Sequence, residues 1–231
     1  MKRFYKKAEA VPIAAGHGIA LDGKLVKTPG KRDLIVPSPA LGEAMVAEWE
    51  AQQSEIRRET MPLTRLAGLT IDRSAAERDA VVRQVADYAG TDLVCYRATH
   101  PPALAARQQA VWQPLVGWAT ARYDAPLVVT NGVIPASQPA ASLAAFQTVV
   151  AGHDDFALTA LHAATAACGS LVIALALLEA RLDAGEAFAA SQLDESFQIE
   201  SWGEDGEQAE RRAALAAEIA AAVQFISLLR G

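Results

Sequence analysis

The sequence has 231 residues, 52% of them apolar and 21% charged, and a formal net charge of -6. That length allows one large or two modest domains with their own cores, and the composition excludes wholesale disorder. The negative balance argues against general nucleic-acid binding, which needs a cationic surface to displace counterions from phosphates, but it leaves room for a basic protein partner. Two cysteines, Cys95 and Cys168, sit in apolar surroundings without metal-ligand spacing and read as buried reduced thiols. The opening MKRFYKK runs into Ala, Glu and Pro with no long apolar core, so no secretory signal is expected.

In chain order, Ile19–Leu21 and Lys24–Lys27 flank Asp22-Gly23, a pair that favours the type I′ turn of a tight hairpin. Thr28-Pro29-Gly30 breaks the chain, and Leu34–Val36 is another short strand. Ser38-Pro39 then supplies an N-cap followed by proline at the first helical position. The helix it opens, from Ala40 to about Gln53, places Leu41, Met45 and Trp49 on one face. These elements make residues 1–60 a small α+β domain with antiparallel hairpins. Residues 61–231 read as a larger, mostly α-helical bundle domain beginning at Met61-Pro62, so the fold class is α+β.

Within the larger part, Leu63, Leu66, Ala67 and Ile71 form an apolar stripe, and Ser74 with Glu77 has capping-box spacing. The next helix runs through Val81, Val82, Val85 and Tyr88 to Gly90. After Thr91–Arg97, the His100-Pro101-Pro102 break leads into a helix with Trp112, Leu115 and Trp118, expected to kink or restart at Pro114. Residues 127–134 read as a short hairpin, with Leu127–Val129 and Val133-Ile134 on either side of Asn131-Gly132. Pro139 opens a helix to about Val150.

Phe156–Leu182 is expected to be the central helix, since it carries no formal charge before Glu179 and is apolar nearly all round. Such a helix is buried in protein or in lipid. Its length permits a bilayer span. Its Ala-rich composition, its His162, Thr159, Thr165 and Ser170, and its lack of flanking anchors favour a protein core and no stable membrane insertion. Gly185 is expected to end it, followed by a helix from Glu186 to about Trp202, a break at Gly203–Gly206, and a last helix from Glu207 to Leu229.

Motifs for chemistry are scarce. His17, His100, His153 and His162 form no HExxH or Cys/His pair, so no metal site is expected. GxGxxG, GxxxxGK[ST] and GxSxG are all missing, and Asp154-Asp155 read as helix N-terminal charges. One polar cluster stands out, Asp194 to Asp205, where acids alternate with Phe197, Ile199 and Trp202. Acids beside exposed aromatics suit a protein-recognition surface. The alternative is a solvated acidic helix face with Phe197 and Trp202 in the core.

Taken together these pieces resemble a known family, the assembly chaperones of the F1 sector of ATP synthase. The resemblance runs nearly the full length. It is carried by Arg3-Phe4-Tyr5-Lys6, Leu21-Asp22-Gly23-Lys24, Lys27-Thr28-Pro29, Glu48-Trp49 with Gln52, Met61-Pro62-Leu63-Thr64-Arg65-Leu66 and Ile71-Asp72. It continues through Asp92-Leu93, Cys95-Tyr96-Arg97, Gln109, Trp112, Pro114 and Trp118, then Asp194-Glu195, Phe197-Gln198, Trp202-Gly203-Glu204-Asp205 and Arg211-Arg212. The resemblance implies a two-domain fold, no catalysis and no cofactor. It also implies a chaperone that binds the free F1 α subunit, prevents its aggregation and releases it for assembly with β. An acidic position in the C-terminal segment matters in the family; motif matching places it at Glu195, with Glu200 as second choice. The expected partner surface is therefore Glu195, Asp194, Glu200, Phe197 and Trp202, on a monomer in the bacterial cytoplasm. Two other readings compete: an enzyme using Glu195 or Asp194 in a pocket near Glu195, and a membrane-attached adaptor inserted through Phe156–Leu182.

Overall fold

The computed structural model describes every residue except Val133, Pro135 and Gly231. At the N-terminus, β1 (Ala8–Ile13) pairs antiparallel with β2 (Gly16–Leu21) in the register Ala8↔Leu21 to Ile13↔Gly16. The other edge of β2 pairs with β3 (Lys24–Leu25) and β4 (Ile35–Val36). Asp22 and Gly23 both have positive φ (48° and 79°), as a type I′ hairpin requires, so the turn expected from their sequence is present. Strand β1 was not expected, because AEAVPI is poor in β-formers and contains proline. It is an edge strand, where the missing N–H of Pro12 interrupts no second ladder. Gly16 joins the two strands at φ +135°, where an added Cβ would meet the Val36 carbonyl oxygen at 2.5 Å.

Helix α1 (Pro39–Glu50) begins as its sequence dictates: Pro39 lies in the first turn and Ser38 Oγ accepts from the Leu41 N–H. Leu41, Met45 and Trp49 form its buried face. Helix α2 (Pro62–Asp72) has no cap from its own N-cap residue, Met61. Glu48 of α1 supplies it instead, accepting from the N–H groups of Leu63 (2.7 Å) and Thr64 (2.8 Å). Burial pushes the Glu48 carboxyl up, against those hydrogen bonds, which favour its charged form. Glu48→Ala is therefore expected to lower stability by about 1–2 kcal/mol, read as an earlier urea midpoint. An unchanged midpoint would show that α2 does not depend on this cap. At the other end of α2, Asp72 accepts from Thr28 Oγ1 (2.5 Å) and the Gly30 N–H (2.7 Å), tying the loop after β3 to the helix.

The Ser74–Glu77 capping box opens α3 (Ala75–Asp87), as expected. Helix α4 (Pro102–Tyr123) does not restart at Pro114 but continues through it. Trp112, Leu115, Val116 and Ala119 are buried on both sides of the proline, and that packing offsets the lost backbone hydrogen bond. The expected hairpin at 127–134 is also replaced. Thr130–Asn131 (β6) pairs in parallel with Tyr96–Arg97 (β5), and Val133 of the expected second strand lies outside the described residues. Helix α5 (Ala140–Ala151) follows Pro139.

The expected long helix from Phe156 is two helices, α6 (Asp155–Cys168) and α7 (Leu171–Leu178). Gly169 adopts φ +63°, and Ser170 caps α7 by accepting from the Ile173 N–H. Every residue of α7 is buried. Gly185 is not the terminator, because α7 already ends at Leu178 and Ala180 turns the chain at φ +56°. Asp183 and Glu186 then form a capping box that starts α8 (Ala184–Ser191), with Gly185 inside it. The helix expected from Glu186 to Trp202 is likewise split into α8 and α9 (Leu193–Trp202). After Gly203, α10 (Gly206–Arg230) completes the chain. Among the described residues α10 alone has the length and composition of a bilayer span, and its Ile219, Ala222 and Phe225 are buried in protein. Cys95 and Cys168 are free and buried, and burial pushes each thiol up to about 12.

By contact the chain forms two compact units. One comprises residues 1–78, 155–160 and the stretch from Gln224; it contains the four-stranded sheet packed on α1, with α2 against α1. The other comprises residues 79–154 and 161–223, with α4 against α5, α7 and α9, and α7 against α8. The domain division at residue 60 stands as a proposal beside this contact-based one.

Candidate functional site

All five residues of the expected partner surface fall on α9, a ten-residue helix rising about 15 Å. The 3.6-residue period sends them to different neighbours. Asp194 turns toward α4, where its carboxylate accepts from Gln108 Nε2 at 2.7 Å. Gln108 is almost fully buried, and its other amide atom accepts from the Ala98 N–H, which fixes its orientation. Three residues on from Phe197, Glu200 accepts from both Arg107 Nη1 (2.6 Å) and Nη2 (3.0 Å), while the guanidinium lies 5.3 Å from the Phe197 ring centre. The Arg107 hydrogen bond holds the Glu200 carboxyl below its ordinary value.

Glu195 faces the other way, toward α10. Its Oε1 meets Arg211 Nη2 at 2.5 Å and Gln208 Nε2 at 3.4 Å. Arg212, the next residue, pairs with Glu204 at 3.1 Å, donates to Ser196 Oγ at 3.0 Å and lies 5.1 Å from the Phe188 ring centre. Trp202 stands seven residues, about two turns, beyond Glu195 on the same face and is 82% exposed. An exposed indole on the same helix face as a half-exposed ion pair is unusual for a helix that only covers a core. The alternative that put both aromatics in the core fails for Trp202, while Phe197 is half-buried under Arg107.

The site therefore contains more than the cluster. Arg107, Gln108, Arg211 and Arg212 orient its carboxylates. Of these, only Arg211 and Arg212 had a sequence signal, as two arginines following the acidic run. No group of three or more His, Cys, Asp or Glu among the described residues is placed to hold a metal ion.

The sequence profile of the ATP12 chaperone protein family matches residues 2–120, just over half of the chain. The chain belongs to the ATP12 chaperone family. This is the F1 ATP synthase assembly family that its residues resemble. Among solved structures, Atp12 from Paracoccus denitrificans is 40% identical, with a TM-score of 0.93 over 99% of this chain and 98% of that one. The Atu1473 protein of Agrobacterium tumefaciens is 39% identical, with the same TM-score over 99% of this chain and 86% of that one. A more distant ATP12 relative is the mitochondrial protein atp12 of Schizosaccharomyces pombe, 23% identical over 87% of this chain and 74% of its own length. The small antiparallel sheet followed by helices is thus the Atp12 fold.

Proposed function

We propose that the protein is a non-catalytic chaperone that binds the free F1 α subunit, keeps it from aggregating, and releases it for assembly with β. Membership of the ATP12 family supports the assembly role, and the bacterial relatives support action in the bacterial cytoplasm. The observation that carries the binding reading is α9 itself, where exposed Trp202 shares a face with Glu195, whose side chain is 32% exposed and paired with the exposed Arg211. An aromatic anchor with charges beside it selects and orients a protein partner. The competing enzyme reading calls for a carboxylate kept basic in a closed pocket. Here Glu195 and Glu200 are instead each engaged by an arginine, an arrangement suited to recognition.

Modest affinity fits this role, because a chaperone's surface has to give way to the larger permanent interface with β. The test is retention of the F1 α subunit by the tagged protein, wild type against Glu195→Lys. Loss of the exposed Glu195–Arg211 pair costs no more than about 1 kcal/mol, so the variant is expected to fold. It is also expected to retain the subunit about tenfold less well, because a lysine beside Arg211 puts two like charges together and weakens the local negative field. Equal retention by both would remove Glu195 from the site. No retention by wild type would overturn the proposed function.

A further inference from the structure

Beside α9 lies a half-open groove of about 420 Å³, formed by α4, α8 and α9. Its floor is apolar: Val111 and Leu115 of α4, Leu182 before α8, Ala189 and Ala190 of α8, and Leu193 of α9. Val111, although apolar and inside a helix, remains 37% exposed, and Ala189 is exposed as well. The rim is polar and is made by Arg107, Glu186 and Ser196. Two of these rim residues belong to the network already described, since Arg107 holds Glu200 and Ser196 accepts from Arg212. The groove is thus continuous with the face that carries the acidic cluster.

Charge identifies what fits there. Residues 183–212 contain nine carboxylates and two arginines, a net -7, against -6 for the whole chain. The acidity of the protein is therefore concentrated in α8, α9 and the start of α10, and the rest of the chain is nearly neutral. Arg107, Arg211 and Arg212 cancel three of these carboxylates, Glu200, Glu195 and Glu204, and the other six carry the negative balance. An apolar trough in a strongly negative surround attracts a segment that is apolar on one side and cationic at its margin, and repels acidic competitors.

We propose that this groove is the seat for an amphipathic partner segment that presents apolar side chains to the Val111–Leu193 floor and a lysine or arginine to the carboxylates around it. This deepens the proposed function and rests on it for the identity of the protein that supplies the segment. It assigns binding residues, Val111, Leu182 and Ala189, that the acidic cluster does not contain.

The experiment uses the full chain and two probes, the purified F1 α subunit and a short labelled Leu/Lys amphipathic helix. Ala189→Trp fills the groove from an exposed helical position and is expected to weaken both probes at least about tenfold, with circular dichroism and Tm unchanged. Val111→Ser gives a second, smaller lesion in the same floor and is expected to weaken both in the same direction. Ala80→Trp, on the exposed side of α3, is expected to change neither. Raising salt from about 50 to about 500 mM is expected to weaken wild-type binding, as screening removes the acidic attraction. Retention of the F1 α subunit that Ala189→Trp and Val111→Ser leave intact would overturn the groove and leave the chaperone reading standing. Groove-dependent binding of the Leu/Lys helix without retention of the subunit would do the reverse. Binding indifferent to salt would overturn the cationic character of the segment.

Discussion

Asp92→Ala is expected to destabilise the fold by about 3 kcal/mol or more, lowering Tm by about 10 °C. Asp92 is fully buried, and its carboxylate is a hydrogen-bond acceptor. Ser170 Oγ donates at 2.5 Å and the Val172 N–H at 3.0 Å, both from the start of α7, and the Val94 N–H donates at 3.2 Å from its own turn. A single carboxylate therefore satisfies the N-terminus of the most deeply buried helix and pins it to a segment 78 residues earlier in the chain. Alanine would leave those donors without a partner where water does not reach, each such loss costing about 1–3 kcal/mol.

The same residue gives a pH signature. Burial pushes the Asp92 carboxyl up from 3.8 to about 6, against the hydrogen bonds that favour its charged form. Because the folded value lies above the unfolded one, the folded protein holds this proton more tightly. The stabilisation from protonated Asp92 is complete below the unfolded value and is lost as pH rises through about 6. Asp92→Asn lacks that component, so the stability of wild type relative to the variant is expected to fall between pH 4 and pH 6 and stay flat above pH 7. A difference independent of pH would mean that Asp92 keeps its ordinary carboxylate behaviour inside the fold.

Trp49→Arg is expected to cost about 4 kcal/mol or more, through loss of a large buried ring and entry of a charge into an apolar site. Trp49 is 8% exposed, and Leu41 and Met45 on the same face of α1 are fully buried. The Tyr5 ring meets it edge-on at 5.7 Å, and Tyr5 Oη donates to the Trp49 carbonyl at 2.6 Å, so the N-terminal segment closes over this position. Denaturant unfolding reads the effect, and a midpoint equal to that of wild type would show that the face is not part of the core. Burial of this helix face was legible from four-residue spacing alone. The covering by Tyr5 was not, because nothing local links residues 5 and 49.

That contrast holds across the chain. Features set by neighbouring residues were readable: the Asp22-Gly23 turn, the Ser38-Pro39 start of α1, the Ser74–Glu77 box and the opening of α4 after Pro101. Features set by distant partners were not. The Glu48 cap of α2, the Asp92 cap of α7 and the Asp72 tie to Gly30 each join residues whose sequence separation hides the pairing. They also give a physical reason for several short pieces that carry the family resemblance, since Glu48, Asp72 and Asp92 are the acceptors that hold helix ends and loops. The split of the apolar stretch at Gly169-Ser170 was masked by composition, which stays apolar on both sides of the cap. The candidate site was half legible. Its acids and aromatics stood together in sequence, but Arg107 and Gln108, which orient Glu200 and Asp194, come from 93 and 86 residues earlier. The groove is made by three helices and has no linear signature.

A chaperone of the kind proposed keeps a free F1 α subunit from aggregating. Light scattering by the purified subunit, diluted from denaturant with and without an equimolar amount of the intact protein, tests it directly. The protein is expected to suppress scattering, and Glu195→Lys, although folded, is expected to suppress it less. Scattering that rises equally with and without the wild-type protein would contradict it.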